Sequence, residues 1–521
     1  MTKYLMAIDA GTGSIRAVIF DTKANQIAVA QEEWTHIAEE NVPNSMTFDC
    51  KNNWSLVLTC IKKAIQKAAI NPEDILGVSA TSMREGIVLY DNEGKELWAV
   101  ANVDARAQKE VRYLKENFAE LEEEFYAISG QTFALGSLPR LLWLKNNRPQ
   151  IYKKVARISM IGDWILARLS GVIASDPSNG GTTGIFSLKK RDWMPQMAAK
   201  VGIKDRIFPK VLEVGSFMGF VTQEASESSG LSTTTKVIMG GGDVQLGAAG
   251  LGVVKAGQVA ILGGSFWQQV VNIKSDVTPP KDMSVRVNPH VITGLSQAEG
   301  ITFFSGLVMR WFRDAFCEIE KAEAKEKNCD VYEILEQKAQ KIPAGSYDIL
   351  PIFSDTMKYK KWYHAAPSFL NLGLDADKYN RASMFRSLEE NAAIVSSINL
   401  EKIKEFSGVE FDEIVFAGGA SKGKLWSQIV ADVTGYRVKI PRVTEATALG
   451  AAMAAGVGCG IYENLASAAK ELVVWDKTYE PNLENKKVYD KLKIKWQQAY
   501  EVQLKLVDDN ITTSMWKAPG L

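Results

Sequence analysis

Two stretches restrict the fold of this chain more than any others. "MAIDAGTGSIRAVIFD" at 6–21 is an apolar strand, a turn of glycines and hydroxyls, and a second apolar strand. "GQVAILGGSFWQQVVNI" at 257–273 repeats that order. The two turns lie about 250 residues apart in a chain of 521, a spacing that predicts two related halves. An N-terminal lobe over 1–250 and a C-terminal lobe over 251–521 are therefore expected. A chain of this length exceeds one ordinary domain in any case.

Neither turn fits a nucleotide fingerprint of the Rossmann or P-loop kind, because those join a strand to a helix. Here "DTKANQ" leads the second strand into a third, "IAVAQEEW", which makes an antiparallel meander. Beyond it, apolar spacing predicts a helix over 54–69, a strand within "NPEDILGVSATSM" and a hairpin turning at Asn92–Gly94. Residues 105–170 read as mostly helical, and "SGVIASDPSNGGTTGIFSLKKRDW" as a loop-and-strand excursion. In the second half, long helices are expected at 301–341 and 379–406. "DEIVFAGGASKGKLWSQIVADVTG" reads as strand, diglycine turn and helix, and "EATALGAAMAAGVGCG" as a small-residue helix.

Composition closes off several functions. Lysine plus arginine equals aspartate plus glutamate, 61 each, so no global field draws the chain to nucleic acid or an anionic membrane. No apolar run is long enough to span a bilayer, and the first residues lack a secretory pattern. Five scattered cysteines fit reduced thiols in a cytoplasmic protein rather than a metal-thiolate centre. His36, His290 and His364 form no ligand pattern and lie near none of the glycine turns in sequence, so each reads as structural.

Three small-residue turns follow apolar strands: Gly11-Thr12-Gly13-Ser14, Gly263-Gly264-Ser265 and Gly418-Gly419. Glycine bares backbone N–H groups and the hydroxyls add donors, which suits phosphate oxygens. A hairpin explains any one of them; three together point to a polyphosphate held between lobes. Asp9 ends the first strand, where a carboxylate can hold magnesium. Asp243 follows three glycines, with room to act as a general base, although a lone acid there also serves as a cap or ion pair. Arg84 and Glu85 in "SMREG" can donate to and accept from neighbouring hydroxyls, or form an ordinary surface pair.

With these residues assembled, the chain resembles the FGGY family of carbohydrate kinases over nearly its whole length. "DAGTGSIRAVIFD", "GGGDVQLGAAGLG", "LGGSFWQ" and "FAGGASKGKLWSQIVADVTG" carry the likeness, with "DPSNGGTTGIFSLKKRDW" near the sugar site. The resemblance implies a duplicated actin-like, ribonuclease H-like α/β ATPase fold, two lobes with a central nucleotide cleft. It also implies transfer of a phosphoryl group from ATP, with Mg2+, to a hydroxyl of a small-molecule substrate. Asp243 is then the base and Asp9 the magnesium-side acid. Gly11, Thr12, Gly13, Ser14 and Arg16, with Gly263, Gly264 and Ser265, line the phosphates. Gly418, Gly419 and Lys422 lie on the nucleotide side, and Arg84, Glu85, Asp104 and Phe266 on the substrate side.

Where many members carry Thr or Ser, this chain has Gly13, which removes one donor. Val244 replaces a polar residue found beside the base in glycerol-acting members, which argues against glycerol and for a smaller, more apolar pocket. "SMREGIVLY", "NVDARA", "RVNPHVI", "MRWFRDAFC", "WYHAAPSF" and "TTSMWKAPGL" resemble a branch acting on the primary hydroxyl of an open-chain five-carbon dihydroxydione. Other acceptors, a pentulose or a polyol, stay open, as does a nucleotide-cycling binding protein of the actin or Hsp70 type. The family also suggests control by a phosphotransferase-system protein such as the phosphocarrier HPr.

Overall fold

The computed structural model describes residues 2–134, 136–356, 362–443, 445–518 and 520; Pro519 and Leu521 of the C-terminal "TTSMWKAPGL" stretch lie outside them. Counting only the elements that build the site, the N-terminal lobe is a six-stranded sheet. Its strands are β1 (Tyr4–Ala10), β2 (Ser14–Asp21), β3 (Gln26–Glu33), β4 (Ile75–Ser82), β5 (Phe217–Phe220) and β6 (Lys236–Gly242). They run in the order β5-β6-β4-β1-β2-β3. β1, β2 and β3 form the expected antiparallel meander, whereas β1, β4 and β6 are parallel neighbours. Their side chains are buried on both faces, as a parallel sheet covered by helices requires.

The C-terminal lobe repeats this plan with β7 (Val259–Gly263), β8 (Trp267–Lys274), β9 (Arg286–Pro289), β10 (Leu295–Thr302), β11 (Glu413–Ala417), β12 (Arg437–Pro441) and β13 (Trp475–Tyr479). The order is β9-β10-β8-β7-β11-β12-β13, with β7, β11 and β12 parallel. The anticipated duplication is therefore present: six strands of the second sheet repeat the order of the first, and β9 is added at its edge.

Helix α1 (Cys50–Ala68) and α2 (Ile161–Ser170) pack on one face of the first sheet. α4 (Arg381–Ser407) and α5 (Lys424–Thr434) do the same for the second. The remaining faces are covered by exchange. α3 (Asp243–Gly250) continues β6 of the first sheet yet packs on Ala260, Val270, Val415 and Ala417 of the second. α6 (Ala446–Gly458) follows β12 but packs on Leu5, Ala7, Val18 and Phe20 of the first. The two exchanged helices cross backbone to backbone. A Cβ on Gly450 would lie 2.0 Å from the Leu246 carbonyl, and one on Gly250 2.0 Å from that of Ala446. This contact is why α6 is built from small residues.

Two expectations need correction. The stretch 301–341 is not one helix: β10 runs to Thr302, and helices follow at Ser305–Phe316, Glu318–Lys327 and Val331–Ala339. Asn328 in the left-handed region ends the second of these, and the Asp330 side chain caps the third. The 105–170 region is mostly helical as expected, with one strand at Arg157–Met160. The excursion at 170–193 carries a short helix, Pro177–Gly181, capped by Asp176 and wholly buried. All five cysteines are free thiols, and among the described residues no helix is long and apolar enough to cross a membrane.

Candidate active site

In parallel α/β sheets, ligands bind beyond the carboxyl ends of the strands. The proposed site segments leave from those ends. In the first sheet, Asp9 lies at the end of β1, Arg84 and Glu85 just after β4, and Asp243 just after β6. In the second, Gly263 to Ser265 follow β7, Gly418 and Gly419 follow β11, and Glu445 follows β12. The Arg16–Glu445 and Arg84–Glu299 pairs join the two sets.

A cavity of about 500 Å3 opens between the second-lobe turns. Gly263, Gly264 and Ser265 bound one side, Gly419 and Lys422 another, and Phe385 and Trp426 supply an apolar wall. Gly418 has φ +99°, and a Cβ there would stand 2.8 Å from the Gly263 carbonyl, so only glycine lets the two turns nest. Around Gly13 and Gly419, by contrast, no protein atom would meet an added Cβ within 4 Å. Protein packing does not require glycine there, whereas close approach of a ligand to the backbone would.

The first turn is held by aromatic and polar neighbours. Trp34 Nε1 donates to the Gly11 carbonyl at 3.0 Å, and Asn102 Nδ2 to the Thr12 hydroxyl at 2.9 Å. His36, which sequence distance set apart from this turn, lies against it and shares a 2.7 Å bond with the Thr12 carbonyl. A carbonyl can only accept, so Nε2 carries the proton and is not free to attack phosphorus. Burial lowers the His36 pKa, which keeps the ring neutral. Arg16 reaches across the lobes to Glu445 at 2.9 Å while its Nε donates to Gln31 at 2.8 Å.

Asp243 begins α3. Its Oδ1 accepts the Val244 N–H at 2.8 Å and lies 3.7 Å from Arg84 Nε, with 35% of its side-chain surface exposed. Burial, opposed by Arg84 and aided by Glu85 and Glu299, pushes its pKa up to about 6. Asp9 is raised to about 7 by burial and then by the charges of Asp243 and Glu445, against Arg16. Two strand-end carboxyls thus sit close enough to resist ionising together. Among the described residues no three metal-ligating side chains cluster. The donor set suits a hard cation completed by phosphate oxygens and water, not an all-protein metal site.

The Arg84–Glu85 pair is no surface dipeptide. Arg84, 4% exposed, binds Glu299 bidentately at 2.5 and 2.9 Å. Gln245 and Asn288 also donate to Glu299, at 2.8 and 2.7 Å. Glu85, at φ +66°, pairs with Arg286, whose Nε donates to Gln131 at 2.7 Å. Burial opposes the Glu85 charge, but Arg286 and Arg84 hold its pKa below the ordinary value. Arg140 binds the carbonyls of Glu85, Asn102 and Asp104. The Asp104 carboxylate accepts from the Met46 N–H at 2.6 Å and from Arg106 at 2.8 Å. Phe266, 42% exposed, rests on Phe303 and Phe304 beside the second turn.

The surroundings of Asp243 are polar, which overturns the apolar pocket inferred from Val244. That side chain faces the other way, into the apolar cluster between α3 and the second sheet. Sequence reading also missed Glu299, Arg286, Asn288, Gln131 and Gln245. Arg286 and Asn288 lie in "RVNPHVI", noted only as a resembling stretch, and a lone acid in "LSQAEGIT" is the sole sign of Glu299.

Comparison with known proteins agrees with this geometry. Residues 4–250 match the FGGY family of carbohydrate kinases, N-terminal domain, and residues 275–459 its C-terminal domain. The chain is 56% identical over 519 residues to the autoinducer-2 kinase of Enterobacter sp. (strain 638), covering 99% of this chain and 98% of that one. The same identity and coverage hold for the autoinducer-2 kinase of Escherichia coli (strain K12 / DH10B). Among solved structures, a xylulose kinase from Rhodospirillum rubrum superposes with a TM-score of 0.84 at 22% identity, covering 97% of this chain and 99% of that one. Plasmodium falciparum glycerol kinase with ADP gives 0.83 at 18% identity, covering 96% and 98%. These structures share the fold, the actin-like ATPase architecture. The chain belongs to the FGGY family of carbohydrate kinases. It is accordingly an ATP-using phosphotransferase with an alcohol group as acceptor.

Proposed function

We propose that the chain phosphorylates autoinducer-2, in its open-chain form 4,5-dihydroxypentane-2,3-dione, on the primary hydroxyl. What carries the substrate assignment is the 56% identity over nearly the full length to proteins named autoinducer-2 kinase. The polar surroundings of Asp243 support it, since the Arg84 guanidinium and the Glu85 carboxylate both act on that residue. In this reading the lobes divide at 250/251 and the enzyme acts in the cytoplasm.

Asp243 accepts the proton of the attacking hydroxyl, a task matched to a pKa of about 6 near neutral pH. Asp9 is the carboxylate on the side of Mg2+, which when bound neutralises charge on the transferring phosphoryl group. The turns at 11–14 and 263–265, with Arg16, hold the phosphates through N–H groups and hydroxyls. Gly418, Gly419 and Lys422 flank the nucleoside, and Phe266 borders the acceptor, whereas the buried Asp104 carboxylate is taken up by Met46 and Arg106. Closure of the lobes about the α3–α6 crossing excludes water that would otherwise hydrolyse ATP.

Acceptor-dependent ADP release tests the reading, comparing the dione with xylulose, ribulose, glycerol and no acceptor. Turnover favouring the dione supports it. Preference for a pentulose or a polyol would overturn the substrate, and equal release without acceptor would overturn the kinase role.

A further inference from the structure

The segment "DPSN" at 176–179 does not belong to the wall of the cleft. It lies beneath β6, with Asp176 and Ser178 fully buried. The Ser178 hydroxyl makes two bonds there. It donates to Asp176 Oδ1, an oxygen that also accepts the Ser178 and Asn179 N–H groups. Its oxygen then accepts the Gly242 N–H at 2.8 Å. Gly242 is the last residue of β6 and the N-cap of α3, immediately before Asp243.

Other contacts fix both ends of this relay. Asp176 is anchored as the cap of its own short helix, accepting the Ser178 N–H at 2.7 Å and the Asn179 N–H at 3.2 Å. Ser175 beside it donates to Asp163, and Gly162 N–H is tied to Ser82 Oγ on β4 at 2.9 Å. Above the relay, the glycines of β6 let the strand settle on its neighbours. A Cβ on Gly240 would lie 1.7 Å from the Ala80 carbonyl, and one on Gly241 2.8 Å from Ser178 Oγ. The peptide that carries Asp243 is thus clamped from below by one hydroxyl of fixed polarity.

We propose that Ser178 and Asp176 are positioning residues for Asp243, setting the strand-to-helix junction from which its carboxylate meets the acceptor hydroxyl. The inference rests on the reading of Asp243 as the base. Both residues are fully buried, so their effect is on geometry in the transition state and not on nucleotide affinity.

The test compares Ser178→Ala and Asp176→Asn with the unaltered enzyme in steady-state kinetics and in ADP-binding calorimetry. Removing the hydroxyl is expected to lower kcat by about 10- to 100-fold through misplacement of the base. KM for ATP and ADP affinity should stay within about twofold, the signature of an interaction felt only in the transition state. Asp176→Asn keeps an acceptor for Ser178 and should retain most of the rate. Unchanged kcat in Ser178→Ala would overturn the proposal. So would a joint loss of kcat and ADP affinity, or Asp176→Asn as damaging as Ser178→Ala, either of which means a general packing role. Asp243→Asn run in parallel separates the two layers: near-normal turnover there would remove the base assignment and the relay's purpose with it.

Discussion

Replacing Asp9 by Asn should make the ligand-free protein more stable, and more so as pH rises. Its pKa stands at about 7 in the folded chain against an ordinary 3.8. The folded state therefore holds the Asp9 proton more tightly than the unfolded state does. Stability from this group is complete below pH ~4 and is lost as pH climbs to ~7, beyond which the buried charge is a constant cost. The difference of about three pH units, at ~1.4 kcal/mol each, sets a ceiling of ~4 kcal/mol. Because Asp9 is only part-buried, solvent screening brings this down to about 2 kcal/mol at pH 8 and under ~1 kcal/mol at pH 5. Among the described residues its carboxylate takes no side-chain hydrogen bond that Asn would break. Urea melts in EDTA at the two pH values, read against the unaltered chain, measure the effect. A destabilised variant, or a gain equal at pH 5 and pH 8, would refute the argument that Asp9 is kept charged for a ligand at the expense of the fold.

Further outcomes follow from the same geometry. Asp243→Asn should lower kcat by about 10²- to 10⁴-fold while ADP binding stays intact by calorimetry. Since the carboxylate is the active form, kcat/KM of the unaltered enzyme should fall as pH drops below about 6, and a flat profile between pH 5 and 8 would contradict this. Arg84→Met leaves Glu299 buried without its counter-charge, so urea denaturation should show a loss of about 3–5 kcal/mol. Gly418→Ala forces a Cβ into the left-handed region against the Gly263 carbonyl, costing about 1–3 kcal/mol and weakening ADP binding.

The backbone plan was legible because it rests on local patterns. The apolar runs around Gly11–Ser14 and Gly263–Ser265 are buried on both faces, so burial and turn chemistry agree there. β10 was lost because "LSQAEGIT" places Gln297 and Glu299 in a buried strand, where polar composition argues for a loop or helix. Such residues break the local rule because they serve the site. Asp9 and Asp243 could be found from their places at strand ends. Glu299 and Arg286 could not, because their partners Arg84 and Glu85 lie more than 200 residues away in sequence. Val244 misled for a related reason: sequence adjacency to Asp243 says nothing about which side of α3 a residue takes. His36 shows the converse, since the meander of β3 brings it back to the first turn.

The most direct measurement is phosphorus NMR of the product formed from ATP and 4,5-dihydroxypentane-2,3-dione by the purified chain. The account predicts one new phosphomonoester resonance, split by the two protons of the terminal carbon, rising in step with ADP. Inorganic phosphate in its place, or a phosphate on the secondary hydroxyl, would contradict it.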